Sequence, residues 1–173
     1  KIIEDNNISK LLILGDLVDS VPNSEALKLV HIFLSGLPKG LEIIMVDGNH
    51  ELIEGRAKKQ YYWNGIKQKM LDTYGVKVHD YIEVGNTLFV NHGNIHKLET
   101  LSKQYDIVYS HFRSNLMPLA SDEINIEMLE HKAGLVVLGD LHFQCSYSNI
   151  VYTGSPIDVS FSSSNELPDH QPS

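Results

Sequence analysis

A single cysteine, Cys145, in 173 residues excludes an internal disulfide framework and fits a reducing compartment, so a cytoplasmic setting is expected. No apolar run approaches the ~20 residues that a bilayer-crossing helix needs, and no basic-plus-apolar leader opens the chain. Positive charge is also scarce: 14 Lys and Arg face 22 Asp and Glu, for a formal net charge of -8. Proteins that grip a polyanion normally do so with Lys and Arg, so the balance argues against nucleic acid held by side-chain charge alone. Bound divalent ions would recover part of that deficit locally, and a partner subunit could supply a basic surface. Internal repeats are absent.

What is present is an ordinary globular composition, 42% apolar, on a chain long enough for one domain with a substantial core. Its chemistry gathers at the ends of apolar runs. Leu41 to Val46 reads as a buried strand and is followed by Asp47-Gly48-Asn49-His50-Glu51. Leu11 to Leu14 is followed by Gly15-Asp16-Leu17-Val18-Asp19, Ile107 to Tyr109 by Ser110-His111, and Leu135 to Leu138 by Gly139-Asp140-Leu141-His142. Strand-end loops are where α/β scaffolds place chemistry, and this series of Asp, Asn and His points to a dinuclear metal site.

Between these strands the patterning predicts helices. Asn23 or Ser24 caps a helix whose wide apolar face carries Ala26, Leu27, Leu29, Val30, Phe33 and Leu34. Arg56 to Tyr74 reads as a second helix with Tyr62, Ile66, Met70 and Leu71 inward, and Lys58, Lys59, Lys67 and Lys69 as a solvated face. Val76 to His79 is an edge strand; Ile82 to Val84 and Thr87 to Val90 form a hairpin over the two-residue turn Gly85-Asn86. A short helix around Lys97 to Lys103 and one from Asp122 through Glu130 follow, then a last strand, Asn149 to Thr153.

The strand-end series resembles the calcineurin-like metallophosphoesterase superfamily, with its Asp-x-His, Gly-Asp-x-x-Asp, Gly-Asn-His-Asp/Glu, lone His and Gly-His-x-His blocks. Tyr152-Thr153-Gly154-Ser155-Pro156, followed by Val159-Ser160-Phe161, resembles the segment closing the nuclease domain of SbcD-type DNA repair and recombination nucleases of bacteria and phages. The resemblance implies a four-layer αββα sandwich of two mixed sheets flanked by helices. The resemblance covers about Leu11 to Phe161; the expected domain is residues 1–161, with residues 162–173 a polar Ser/Pro-rich tail or linker. It also implies DNA as a partner, an SbcC-like ATPase subunit and a homodimer, with exo- or endonuclease polarity open.

Phosphodiester hydrolysis by paired ions needs a bridging carboxylate and neutral ligands that leave the site positive. Asp16 is expected to bridge, with Asn49, His111, Asp140 and His142 completing the ligands. This oxygen and nitrogen set suits Mn²⁺ first, with Fe, Zn²⁺ or Mg²⁺ as substitutes. For the lone histidine, His111 is preferred over His92, which then sits at the pocket rim or has a structural role. By the resemblance His50 is the catalytic, non-ligand histidine. Glu51 orients ligands, Asp19 either does the same or caps its turn, and Arg113 either touches phosphate or makes a surface ion pair.

Two departures from the pattern stand out: Asp140 replaces the first His of Gly-His-x-His, and no Asp-x-His lies upstream of Asp16. The second leads to the expectation that a strand and helix precede Lys1. Three functions follow: a metal-dependent DNA nuclease, a phosphomonoesterase or nucleotide phosphodiesterase, and a domain that binds without hydrolysing.

Overall fold

The computed structural model describes residues 2–53, 60–114, 124–125 and 127–156. After a short α1 (Ile2–Asp5), the first half alternates strands and helices: β1 (Lys10–Leu14), α2 (Ser24–Ser35), β2 (Glu42–Val46), β3 (Leu52–Ile53), β4 (Gln60–Tyr61), α3 (Tyr62–Gly65), α4 (Lys67–Tyr74) and β5 (Val76–His79). The second half is richer in strand: β6 (Tyr81–Val84), β7 (Thr87–Val90), α5 (His96–Glu99), β8 (Tyr105–His111), α6 (Glu127–Glu130), β9 (Ala133–Gly139), β10 (Cys145–Tyr147) and β11 (Ile150–Tyr152).

These strands form a parallel three-stranded sheet in the order β1-β2-β5 and a mixed six-stranded sheet in the order β10-β11-β9-β8-β7-β6. The β3–β4 pair is a separate ribbon. Side-chain alternation with period two assigns each strand's faces. In β2, Ile43 and Met45 pack with Val30 and Leu34 of α2, Trp63 of α3 and Met70 of α4. The alternate residues, Ile44 and Val46, meet Phe89 of β7 between the sheets, with Tyr109 of β8 beside them. On the far face Leu88, Val90, Val108, Val136 and Leu138 join Leu98 of α5 and Leu129 of α6. The order is helices, sheet, sheet, helices: the four-layer sandwich expected from the motifs.

Local predictions divide. Asn23 does cap α2, its Oδ1 accepting from the Glu25 and Ala26 amides at 3.0 and 2.9 Å. The Gly85-Asn86 hairpin forms as read, with Val84 opposite Thr87. The apolar face of α2 is narrower than its sequence implies, since Leu29 is 63% and Phe33 44% exposed. Of the helix expected over Arg56 to Tyr74, residues 56–59 lie outside the described residues, Gln60 and Tyr61 are extended as β4, and the helical part starts at Tyr62 and breaks after Gly65. Leu71, expected inside, is exposed. The late start has a physical cause. Tyr61 pairs with Leu52, and the Tyr62 amide donates to the Glu51 carbonyl at 2.9 Å, so extended pairing outcompetes helix there. The short helix expected over Lys97 to Lys103 ends at Glu99.

Candidate metal centre

The parallel registers decide which strand ends meet. Leu14 is level with Val46 across β1–β2, and His111 with Gly139 across β8–β9. All four strands therefore release their loops at one rim. Gly15, Gly48 and Gly139 let these loops approach closely. A Cβ on Gly48 would lie 2.2 Å from Asp16 Oδ1, and one on Gly139 2.0 Å from the Leu14 carbonyl oxygen. The next residues hold unusual backbone: Asp16 has φ 50° and Asp140 φ 88°, left-handed conformations that cluster at functional sites.

His111 is the hub. It is 1% exposed, and its Nδ1 lies 2.7 Å from the Leu14 carbonyl oxygen. A carbonyl can only accept, so Nδ1 carries the proton and Nε2 is left as a lone pair in the neutral ring. That Nε2 faces three oxygens: Asn49 Oδ1 at 2.9 Å, Asp16 Oδ2 at 3.2 Å and Asp140 Oδ1 at 3.7 Å. One lone pair among acceptors is unfavourable unless a proton or a cation sits between them. Ligand atoms ~2.1 Å from one ion lie about 3.0–3.4 Å apart, which the observed spacings bracket. The ligand atoms of Asp16, His111 and Asp140 all fall within 4.8 Å of one another. The donor set therefore fits a divalent cation.

The charges answer to the same convergence. Burial works against an Asp16 carboxylate, but the His111 bond and the His50 amide outweigh it and hold its pKa below the ordinary value. Burial also opposes a charged His111, and its bonds to Asp16 and Leu14 overcome that and raise it. His50 is exposed at the rim. Its Nδ1 donates to the Asp19 carbonyl at 2.6 Å, a bond that raises its pKa against burial, and its Nε2 lies 3.9 Å from Asp16 Oδ2.

Glu51 and Asp47 sit beneath this rim, both 0% exposed. Glu51 Oε2 accepts from the Asp16 and Gly48 amides at 3.0 and 2.7 Å. Its Oε1 accepts from the Val18 amide and the Trp63 indole, both at 3.3 Å. Burial and the Asp16 charge lift this carboxyl, against the N–H donors that favour its ionised form. Asp47 accepts from the Trp63 and Asn64 amides at 3.0 and 3.2 Å and so caps α3. Sequence reading gave Asp47 no role; a carboxylate at the end of β2, ahead of a helix more than ten residues on, leaves no local capping signal.

Burial and the neighbouring Glu51 push Asp47 up to about 7, from 3.8 for the free side chain. The folded state then binds more proton than the unfolded chain between those values. The Asp47 contribution to stability must fall as pH rises from about 4 to about 7 and stay flat above. Urea unfolding of metal-free protein and of Asp47→Asn should show wild type losing ground to the variant, by on the order of a few kcal/mol, between about pH 5 and about pH 8. A constant difference across that range would refute the assignment.

His92 is half-buried beside the cluster, its ring 6.4 Å from that of His111 and edge-on, with its Nδ1 2.9 Å from the Tyr61 hydroxyl. Arg113 is half-exposed, its Nε donating to Asp140 Oδ2 at 2.7 Å. Asp19 is fully exposed, 3.4 Å from His50 Nδ1 through Oδ1. His142 is exposed and does not join the Asp16, His111 and Asp140 group. Gly154 and Ser155 pack against the loop that carries Asp140 and His142: a Cβ on Gly154 would lie 2.8 Å from the Gln144 amide nitrogen, and the Ser155 amide donates to the His142 carbonyl at 3.0 Å. The remainder of that motif, from residue 157 on, lies outside the described residues, as does the expected tail.

Among the described residues no helix is long and apolar enough to cross a membrane. Comparison with curated proteins found no match. A family model described as calcineurin-like phosphoesterase matches residues 1–144, which span the rim loops bearing Asp16, Asn49, His111 and Asp140. This chain therefore belongs to the calcineurin-like phosphoesterase family, a family of metal-dependent phosphoester hydrolases.

Proposed function

We propose that the chain hydrolyses phosphodiesters, with DNA as substrate in the manner of the SbcD-type nucleases. The observation that carries the hydrolytic reading is the acceptor-only gap between His111 Nε2, Asn49 Oδ1, Asp16 Oδ2 and Asp140 Oδ1. These four residues would hold one divalent ion, which when bound supplies positive charge at the phosphate oxygens and acidifies water. Three oxygens and one nitrogen make a hard set that favours Mn²⁺. A second ion would draw on Asp16 and His142, as the motif resemblance implies.

The chain's own residues divide the remaining work. Leu14 fixes the His111 tautomer and Glu51 fixes the Asp16 backbone, so two ligands are set before any substrate arrives. The Asp19 carbonyl holds the His50 ring by Nδ1, leaving Nε2 at the exposed rim. Raised in pKa, His50 is protonated more readily there and can pass a proton from Nε2 to the departing oxygen. The nuclease reading is supported by Gly154 and Ser155, whose close packing makes the SbcD-like segment part of the Asp140 loop.

Linear duplex DNA and p-nitrophenyl phosphate, each with Mn²⁺, separate the substrates. DNA cleavage is expected, lowered by about 10²-fold in His50→Ala. Hydrolysis of the monoester with DNA intact would reject the nuclease and favour a small-molecule phosphatase.

A further inference from the structure

Arg113 stands beside the candidate centre in a way the hydrolytic reading alone does not explain. The level pairing of His111 with Gly139 carries β8 and β9 out of the sheet side by side. Two residues beyond His111 comes Arg113, and one beyond Gly139 comes Asp140. Their side chains meet with Arg113 Nε 2.7 Å from Asp140 Oδ2. The Asp140 side chain is 8% exposed and that of Arg113 51%, so the carboxylate is buried under a guanidinium that reaches solvent.

The pair divides the carboxylate. Oδ2 is taken by Arg113, while Oδ1 lies 3.7 Å from His111 Nε2 on the cation side. Asp140 is thereby limited to one ligand oxygen. Its charge also matters. With Asp16 and Asp140 both ionised, two carboxylates would cancel the one divalent cation held in the His111 gap and leave that gap neutral towards an anionic phosphate. The imidazole that the family pattern places at this position would not do so. A guanidinium bonded to Asp140 offsets the extra charge and leaves the loaded centre about one unit positive.

We propose that Arg113 is a charge-balancing positioning residue: it neutralises Asp140 so that the cation-loaded centre keeps its affinity for phosphate. This rests on the hydrolytic reading above. Arg113 need not touch the phosphate, since it acts through Asp140.

The test is binding of inorganic phosphate to Mn²⁺-loaded protein, followed by titration calorimetry, with Mn²⁺ loading measured separately by electron paramagnetic resonance. Arg113→Gln should weaken phosphate binding by roughly three- to tenfold, the effect of removing one unit charge about 6 Å from a singly to doubly charged phosphate in a water-rich setting. Asp140→Asn keeps an amide oxygen as ligand and removes the charge that Arg113 offsets. Arg113→Gln with Asp140→Asn should therefore return phosphate affinity to within about twofold of wild type. A purely structural Arg113 would show added damage in the double variant instead of rescue, and a direct phosphate contact would leave the loss uncorrected. Either result overturns the inference, as does an Arg113→Gln protein that binds Mn²⁺ and phosphate like wild type. Failure of the wild-type chain to bind Mn²⁺ would instead defeat the hydrolytic reading itself.

Discussion

His111→Ala is expected to lose divalent-ion affinity by at least about 10²-fold and to show no detectable phosphoesterase turnover. The His111 side chain reaches several parts of the rim at once. Its Nδ1 bonds the end of β1 through Leu14, and its Nε2 approaches oxygens of Asp16, Asn49 and Asp140, which come from the loops after β1, β2 and β9. Removing the imidazole would take away the nitrogen proposed as a ligand and also the group that spaces the three oxygens. The loss should be specific to the site. His111 lies at the end of β8, and the β8–β9 and β7–β8 pairing above it does not depend on the ring. Far-ultraviolet circular dichroism should therefore match wild type while Mn²⁺ titration shows the ion unbound. Retained tight binding would mean that the three oxygens suffice, and His111 would then be a buried structural histidine.

Glu51→Ala should be the most destabilising single change at the rim, by about 3–5 kcal/mol. Four N–H groups lose their acceptor together, from Asp16, Val18, Gly48 and Trp63, at a position with no solvent to replace it. Each buried donor left unpaired costs about 1–3 kcal/mol, partly relieved by local rearrangement. The nearly isosteric Glu51→Gln tests the argument further. Both Glu51 oxygens accept, so an amide must turn its NH₂ towards one pair of donors. Glutamine should still lose about 2 kcal/mol, although it fills the same volume. Urea denaturation of the three proteins decides this. Equal stability of Glu51→Gln and wild type would show that shape matters there and acceptor count does not.

Glu51 also shows what the sequence could carry. Gly-Asn-His-Glu is a contiguous word, and Gly-Asp-x-x-Asp is another, so their chemistry is legible without coordinates. What joins them is a bond from Glu51 to the Asp16 amide, 35 residues apart, and no local pattern encodes it. The same limit explains Asp47, whose partners Trp63 and Asn64 lie 16 and 17 residues further along the chain. The four layers were readable because alternation in β2 and β7 leaves apolar residues on both faces, which demands cover on both sides. The helix start at Tyr62 was not, because tertiary pairing of Tyr61 with Leu52 overrides helical periodicity.

Histidine gave the sharpest ambiguity. His92 and His111 each follow a strand, and the rings end up 6.4 Å apart, so neighbouring strands β7 and β8 deliver both to the same corner. Their partners separate them. The Tyr61 hydroxyl engages His92 Nδ1, whereas the Leu14 carbonyl frees His111 Nε2 to face the acidic groups.

The most direct test is a crystal of the protein grown with Mn²⁺ and measured at the manganese absorption edge. An anomalous peak is expected within about 2.3 Å of His111 Nε2, Asn49 Oδ1 and one oxygen each of Asp16 and Asp140. A peak elsewhere on the chain, or none in this gap at saturating Mn²⁺, would contradict the assignment.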